Sequence, residues 1–135
     1  MMKQFFVGVK AVIVSPAGEI LLLKSSAHDF WDVPGGRIDD NETIEQALLR
    51  ELSEELPSHT RPRVGELLNA YRVPGSIKDD LGLVLLFYRV AVDFDGDIKL
   101  SSEHTTFEWM SLEAALERGS DGIQSTLRLL ADASK

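Results

Sequence analysis

The stretch from Glu42 to Leu56 limits the fold more than any other part of the chain. With each residue turned about 100° further round an axis, Ile44, Ala47, Leu48, Leu52 and Leu56 share one arc, from about 300° through zero to about 120°. An apolar arc of that width predicts a helix laid on a sheet. Asn41 is read as its N-cap, and Pro57 cannot continue a helix and ends it. On the same wheel Glu51 falls at about 340°, Glu55 at about 20° and Glu54 at about 280°. Two carboxylates therefore point into a face that ought to be apolar, and a third lies at its edge.

That placement is costly. Like charges three or four residues apart repel along a helix. A buried carboxylate without a partner costs on the order of several kcal/mol. The last turns of a helix also disfavour anions. Arg50, at about 240° on the wheel, is the cation in this half of the helix, and its position does not resolve the cost. A hard divalent cation does, because Mg²⁺ or Mn²⁺ prefers oxygen ligands and is commonly held by a few carboxylates together with substrate phosphates. The competing reading is a solvated charged face.

Phe30-Trp31-Asp32-Val33-Pro34-Gly35-Gly36-Arg37 leads into this region. Paired glycines permit close backbone approaches that other residues resist, and beside a metal their N–H groups can meet a phosphate. Read alone, Pro34-Gly35-Gly36 is simply a turn.

The remainder of the chain supplies the sheet. Phe5 to Val14 is rich in Val, Ile and Phe and reads as a strand, with Ser15-Pro16-Ala17-Gly18 as a turn. Glu19 to Lys24 reads as the return strand of a hairpin. Arg63 to Val73 and Leu81 to Val92 read as an antiparallel pair joined by Pro74 to Asp80, and Phe107 to Met110 as a short strand. Ser111 caps a helix to about Arg118, with Gly119 as its stop, and a last helix runs from about Gly122 to Ala131. These elements predict an α/β fold: a mixed sheet with helices packed on it, in one domain of 135 residues.

Composition narrows the function. The formal net charge is -8, which disfavours binding to a nucleic-acid polymer. A phosphate substrate would need screening from this acidic surface, and a bound cation provides it. The chain has no cysteine, so it holds neither a disulfide nor a thiolate zinc site. Lys10 interrupts the apolar N-terminal stretch, so a strand is expected there rather than a signal peptide. No apolar run nears the roughly 20 residues a membrane helix needs. A cytoplasmic location is the expectation.

Gly36, Glu42, Arg50-Glu51, the aliphatic Leu52, and Glu54-Glu55 stand in register. Their spacing, with the Trp31 and Pro34-Gly35-Gly36 lead-in, resembles the box of the Nudix hydrolases, the MutT-like enzymes. The specific part of the likeness is that box; more loosely it extends from Val7 to Trp109. The resemblance implies an α/β/α sandwich and hydrolysis of a nucleoside diphosphate linked to another moiety. It implies Glu51, Glu54 and Glu55 as ligands of Mg²⁺ or Mn²⁺, with a backbone carbonyl near Gly35. Gly36, Glu42 and Arg50 take a structural part. Glu54 or Glu55 is the first candidate for general base and Glu103 the second. The box departs from the family in one place, where Pro57-Ser58 replaces the usual Gly and aliphatic residue.

Arg37, His28 and Trp31 are candidates for contact with base or phosphate, while His59 reads as a loop residue. Asp93, Asp95 and Asp97 lack the spacing of a calcium loop, and Asp95-Gly96 reads as a strand-connecting turn. Tyr71, Phe87 and Tyr88 read as core aromatics. Candidate substrates are a nucleoside triphosphate, oxidised or not, a dinucleoside polyphosphate, ADP-ribose or a nucleotide sugar. The sequence leaves the oligomeric state open between a monomer and a homodimer, and the resemblance adds that dimers are frequent in the family. An isomerase on the same fold would need a catalytic cysteine, which is absent. A nucleotide-sensing module without catalysis is the remaining alternative.

Overall fold

In a computed structural model, residues 4–25, 30–57, 60–98, 100 and 104–133 are described. The strands are β1 (Gln4–Val14), β2 (Ile20–Ser25), β3 (Trp31–Asp32), β4 (Gly35–Arg37), β5 (Arg63–Arg72), β6 (Leu81–Ala91) and β7 (His104–Met110). The helices are α1 (Ile44–Glu55), α2 (Leu112–Arg118) and α3 (Asp121–Ala133). The strands form one mixed sheet in the order β3-β2-β1-β6-β5, with β4 on β1 and β7 on β2. β1 and β6 run parallel and β5 pairs antiparallel with β6, as the sequence predicts for that hairpin.

The sheet is covered on both sides. Val9, Ala11 and Ile13 of β1 and Leu21 and Leu23 of β2 join Ala47, Leu48 and Leu52 of α1 in one apolar cluster. Val12, Ile20 and Leu22, pointing the other way, pack with Ala115 of α2 and Ile123, Leu127 and Leu130 of α3. Strands apolar on both faces demand this three-layer arrangement. It is the α/β/α sandwich.

Several local expectations are corrected. The expected β1–β2 hairpin is paired only at Val14 and Ile20. β2 is apolar on both faces and takes β7 and β3 as its ladder partners. The edge of β1 that this leaves open receives β4 instead. Helix α1 is capped by Thr43, not Asn41: Thr43 and Gln46 form a reciprocal capping box, while Asn41 adopts a left-handed turn conformation, φ 66°. Ile44, placed at the centre of the apolar arc, is exposed because it sits in the helix's first turn. Gly119 does follow α2, but its backbone is extended. Its missing Cβ instead makes room for Ile123. Asp95-Gly96 does lie in a strand connection, as expected, between β6 and β7, which are not neighbours in the sheet. There Asp93 pairs with Arg63, and the Gly96 carbonyl accepts from the Trp109 indole.

Pro57 in place of the usual glycine has a simple outcome. Leu56, forced toward extended backbone by the proline that follows, ends α1 at φ -102°, ψ 147° and still donates its N–H to the Leu52 carbonyl. No left-handed residue is needed. Ser58 and His59 lie outside the described residues. Among the described residues no helix is long and apolar enough to cross a membrane.

Candidate active site

The glycine pair is positioned by β1. Gly35 lies opposite Lys10 and Gly36 opposite Val9 in the β1–β4 ladder, and the Ala11 N–H donates to the Pro34 carbonyl at 2.8 Å. Gly35 has φ 151°, and a Cβ there would collide with the Val9 carbonyl and the Lys10 backbone. Gly36 faces the other side of the sheet. A Cβ on it would occupy the space of the Glu51 carboxylate. The second glycine is therefore required by a glutamate of α1.

Arg50 organises the surroundings. Its Nε and Nη2 donate to both oxygens of Glu42 at 2.7 and 3.1 Å, a bidentate pair. Its Nη1 donates to Glu51 Oε1 at 3.0 Å, and Nη2 also reaches the Arg37 carbonyl at 3.2 Å. Asp39 and Glu54 lie 3.5 and 3.8 Å away. The Glu42 carboxyl is held below its ordinary value, first by the Arg50 hydrogen bond and next by the Asp39 N–H. Contact with Glu42 raises the Arg50 guanidinium in turn. The Arg50 side chain wraps back to Glu51 although its Cα lies off the apolar arc. One guanidinium still faces Asp39, Glu42, Glu51 and Glu54, so negative charge stays in excess.

The three C-terminal glutamates differ in exposure. Glu55 is 6% exposed on the inner side of α1, with Oε2 shut off from solvent. The Glu51 side chain is 16% exposed and that of Glu54 61%. Among the described residues, no three His, Asp or Glu side chains form a ready-made metal cluster. The donor set nonetheless suits a hard cation: carboxylates alone, two of them largely buried, with Gly36 leaving open the space that Glu51 uses.

Of the substrate-contact candidates, Arg37 is exposed, with its guanidinium 4.4 Å from the centre of the Phe6 ring. Trp31 is half-buried against the α2–α3 side and bridges to Gly119. His28 and Glu103 lie outside the described residues. Phe87 is core, as expected of a strand aromatic. Tyr71 lines a small cleft of about 230 Å³ with Pro74, Leu85 and Gly122. A larger cleft, about 510 Å³, lies between the first turns of α1 and Val64, Gly65 and Tyr88, and none of the three glutamates lines it.

Two residues to which the sequence reading gave no part in the site border its glycine loop. Lys10 donates to Asp32 at 3.1 Å from beneath the glycine loop, and Phe6 supports Arg37. A lysine inside an otherwise apolar strand was the available signal for the first.

A family model described as the NUDIX domain matches residues 4–130. An 8-oxo-dGTP diphosphatase from Proteus vulgaris is 65% identical over 34 residues, a match spanning 25% of this chain and only 30% of that protein. A MutT-like protein from Streptomyces ambofaciens is 30% identical over 112 residues, covering 83% of this chain and 68% of the relative. The crystal structure of a MutT protein from Methanosarcina mazei Go1 superimposes with a TM-score of 0.81 at 25% identity, covering 100% of this chain and 99% of that one.

Proposed function

The chain belongs to the NUDIX domain family, and on that premise we propose that it hydrolyses the pyrophosphate bond of a nucleoside diphosphate linked to another moiety. The observation that carries this reading is the lower end of α1. There Glu51 and Glu55 are drawn into the protein's interior side, and Gly36 gives up its side-chain space to the Glu51 carboxylate. A fold selected for stability alone would place apolar side chains there.

The family generally uses divalent metals. We assign Mg²⁺ or Mn²⁺ to Glu51, Glu54 and Glu55, with the Gly35 carbonyl as a backbone donor. Such a cation, when bound, neutralises phosphate oxygens and makes water more acidic. The protein's own groups do the rest. Arg50, locked to Glu42, orients the Glu51 carboxylate. Glu54, the most exposed of the three, accepts the proton of the attacking water, with Glu55 and Glu103 as the other candidates. Arg37, propped on Phe6, presents a cation to the diphosphate. The substrate is a small nucleotide derivative rather than a polymer, in keeping with the net charge of -8. A single domain over residues 1–135, a cytoplasmic location and a homodimer complete the proposal.

The test is a panel of nucleoside triphosphates, dinucleoside polyphosphates, ADP-ribose and nucleotide sugars, incubated with Mg²⁺ or Mn²⁺ and resolved by chromatography. Cleavage of at least one member is expected. Glu54→Gln should abolish it with an unchanged melting temperature. Tight nucleotide binding without any turnover would instead identify a sensing module, and full activity in EDTA would eliminate the metal assignment.

A further inference from the structure

Lys10 stands out on β1. The strand's neighbouring residues Val9, Ala11, Val12 and Ile13 are all fully buried, and the Lys10 side chain is itself only 12% exposed. An apolar residue would pack there without the cost of desolvating an ammonium group. The side chain points to the α2–α3 face, away from Glu51, by the alternation of the strand. Its aliphatic stem runs beneath Gly35, where a Cβ would lie 3.0 Å from Lys10 Cδ. Its Nζ then donates to Asp32 Oδ2 at 3.1 Å, while Asp32 Oδ1 accepts the Val33 N–H at 2.8 Å. Asp32 thus starts the loop that ends on Gly36, which lies against the Glu51 carboxylate.

We propose that Lys10 and Asp32 form a positioning pair that sets the height of the Pro34-Gly35-Gly36 loop against α1. The pair touches neither the reacting atoms nor the glutamates. It fixes one side of the loop, as the Ala11 N–H bond to the Pro34 carbonyl fixes the other. The carbonyl of Gly35 and the space beside Gly36 are thereby held in place for Glu51 and whatever Glu51 binds. This inference rests on the functional reading above for its activity arm alone.

Three variants test it: K10M, which keeps the stem and removes the charge; D32N, which retains an acceptor for the Val33 N–H; and K10R, which restores the pair. In K10M and D32N we expect kcat to fall by about 10- to 100-fold, the range of losses when a group orienting a ligand is removed, with KM almost unchanged. K10R should recover most of the loss. Mn²⁺ affinity, followed by paramagnetic resonance, should weaken in the same two variants. Hydrogen exchange of the Ala11 amide, which reports the loop, should quicken in K10M while that of Leu127 in α3 stays as in the parent protein. Unchanged kcat in K10M would overturn the proposal. So would a raised KM at constant kcat, which marks a substrate contact, or faster exchange at Ala11 and Leu127 alike, which marks general destabilisation. A parent protein that cleaves no diphosphate would sink the functional reading alone, and the exchange measurement would then decide the positioning role.

Discussion

α1 and α3 cover opposite faces of the same sheet, and they treat buried polarity in opposite ways. α3 inserts Ile123, Leu127 and Leu130, and its buried polar residue, Thr126, is fully accommodated. The Thr126 hydroxyl donates to the Gly122 carbonyl at 2.8 Å and accepts from Asn69 at 3.2 Å. α1 inserts Ala47, Leu48 and Leu52 but keeps Glu51 and Glu55 on the same side, with one guanidinium shared among four carboxylates. A helix that serves packing closes its polar bonds within the fold. α1 instead gathers more carboxylates around Arg50 than one guanidinium balances, the arrangement that the proposed function requires.

The largest expected effect separates the two helices by activity. Glu51→Gln should lower kcat by about 1,000-fold, roughly 4 kcal/mol in barrier, and leave the melting temperature equal or higher, since a repelling charge is gone. Steady-state kinetics and calorimetry on one preparation check both halves; a large loss of stability would mean that α1 needs its acids to fold. Next, Leu127→Ala should cost about 2–5 kcal/mol of stability by opening a cavity under α3, while kcat per folded molecule holds. Urea titration followed by kinetics decides that. Smaller again, Thr43→Ala should cost about 1 kcal/mol, because the hydroxyl that accepts the Gln46 N–H is lost.

The smallest effect is a pH dependence. The folded-state value of Glu42 is depressed below the ordinary 4.5, chiefly by Arg50. Its contribution to stability is therefore complete above that ordinary value and is lost as pH falls through the depressed one. Glu42→Gln should flatten the acid limb of the stability curve below pH 4.5 and leave the neutral region without slope. An acid limb identical to that of the parent protein would show that the Arg50 pair contributes nothing measurable.

The features legible in the sequence are those that depend on local periodicity. The helix bearing the glutamates, the β5–β6 hairpin and the Ser111 cap follow from residue spacing, and so does the burial of Glu51 and Glu55. The Thr43-x-x-Gln46 box is equally legible, but Asn41 offers a competing cap of the right chemistry. Strand order is not legible, because the β1–β6 ladder joins distant segments without any local mark. The partnership of Lys10 with Asp32 spans 22 residues and is hidden for the same reason. The reach of Arg50 escapes a helical wheel because a wheel records where a Cα points, not how far a long side chain extends.

The parallel ladder between β1 and β6 pairs residue 4 with 81 and residue 14 with 91 without interruption. During synthesis on the ribosome, β1 must therefore wait for almost two-thirds of the chain before its second edge is closed. Until then a strand of Val, Ile and Phe exposes unpaired backbone groups, the feature that templates association between nascent chains. Closure over so long a loop is also slow. The glycine loop closes the other edge of β1, and that edge needs only residues 35–37, so the two edges of one strand are completed at very different points of synthesis.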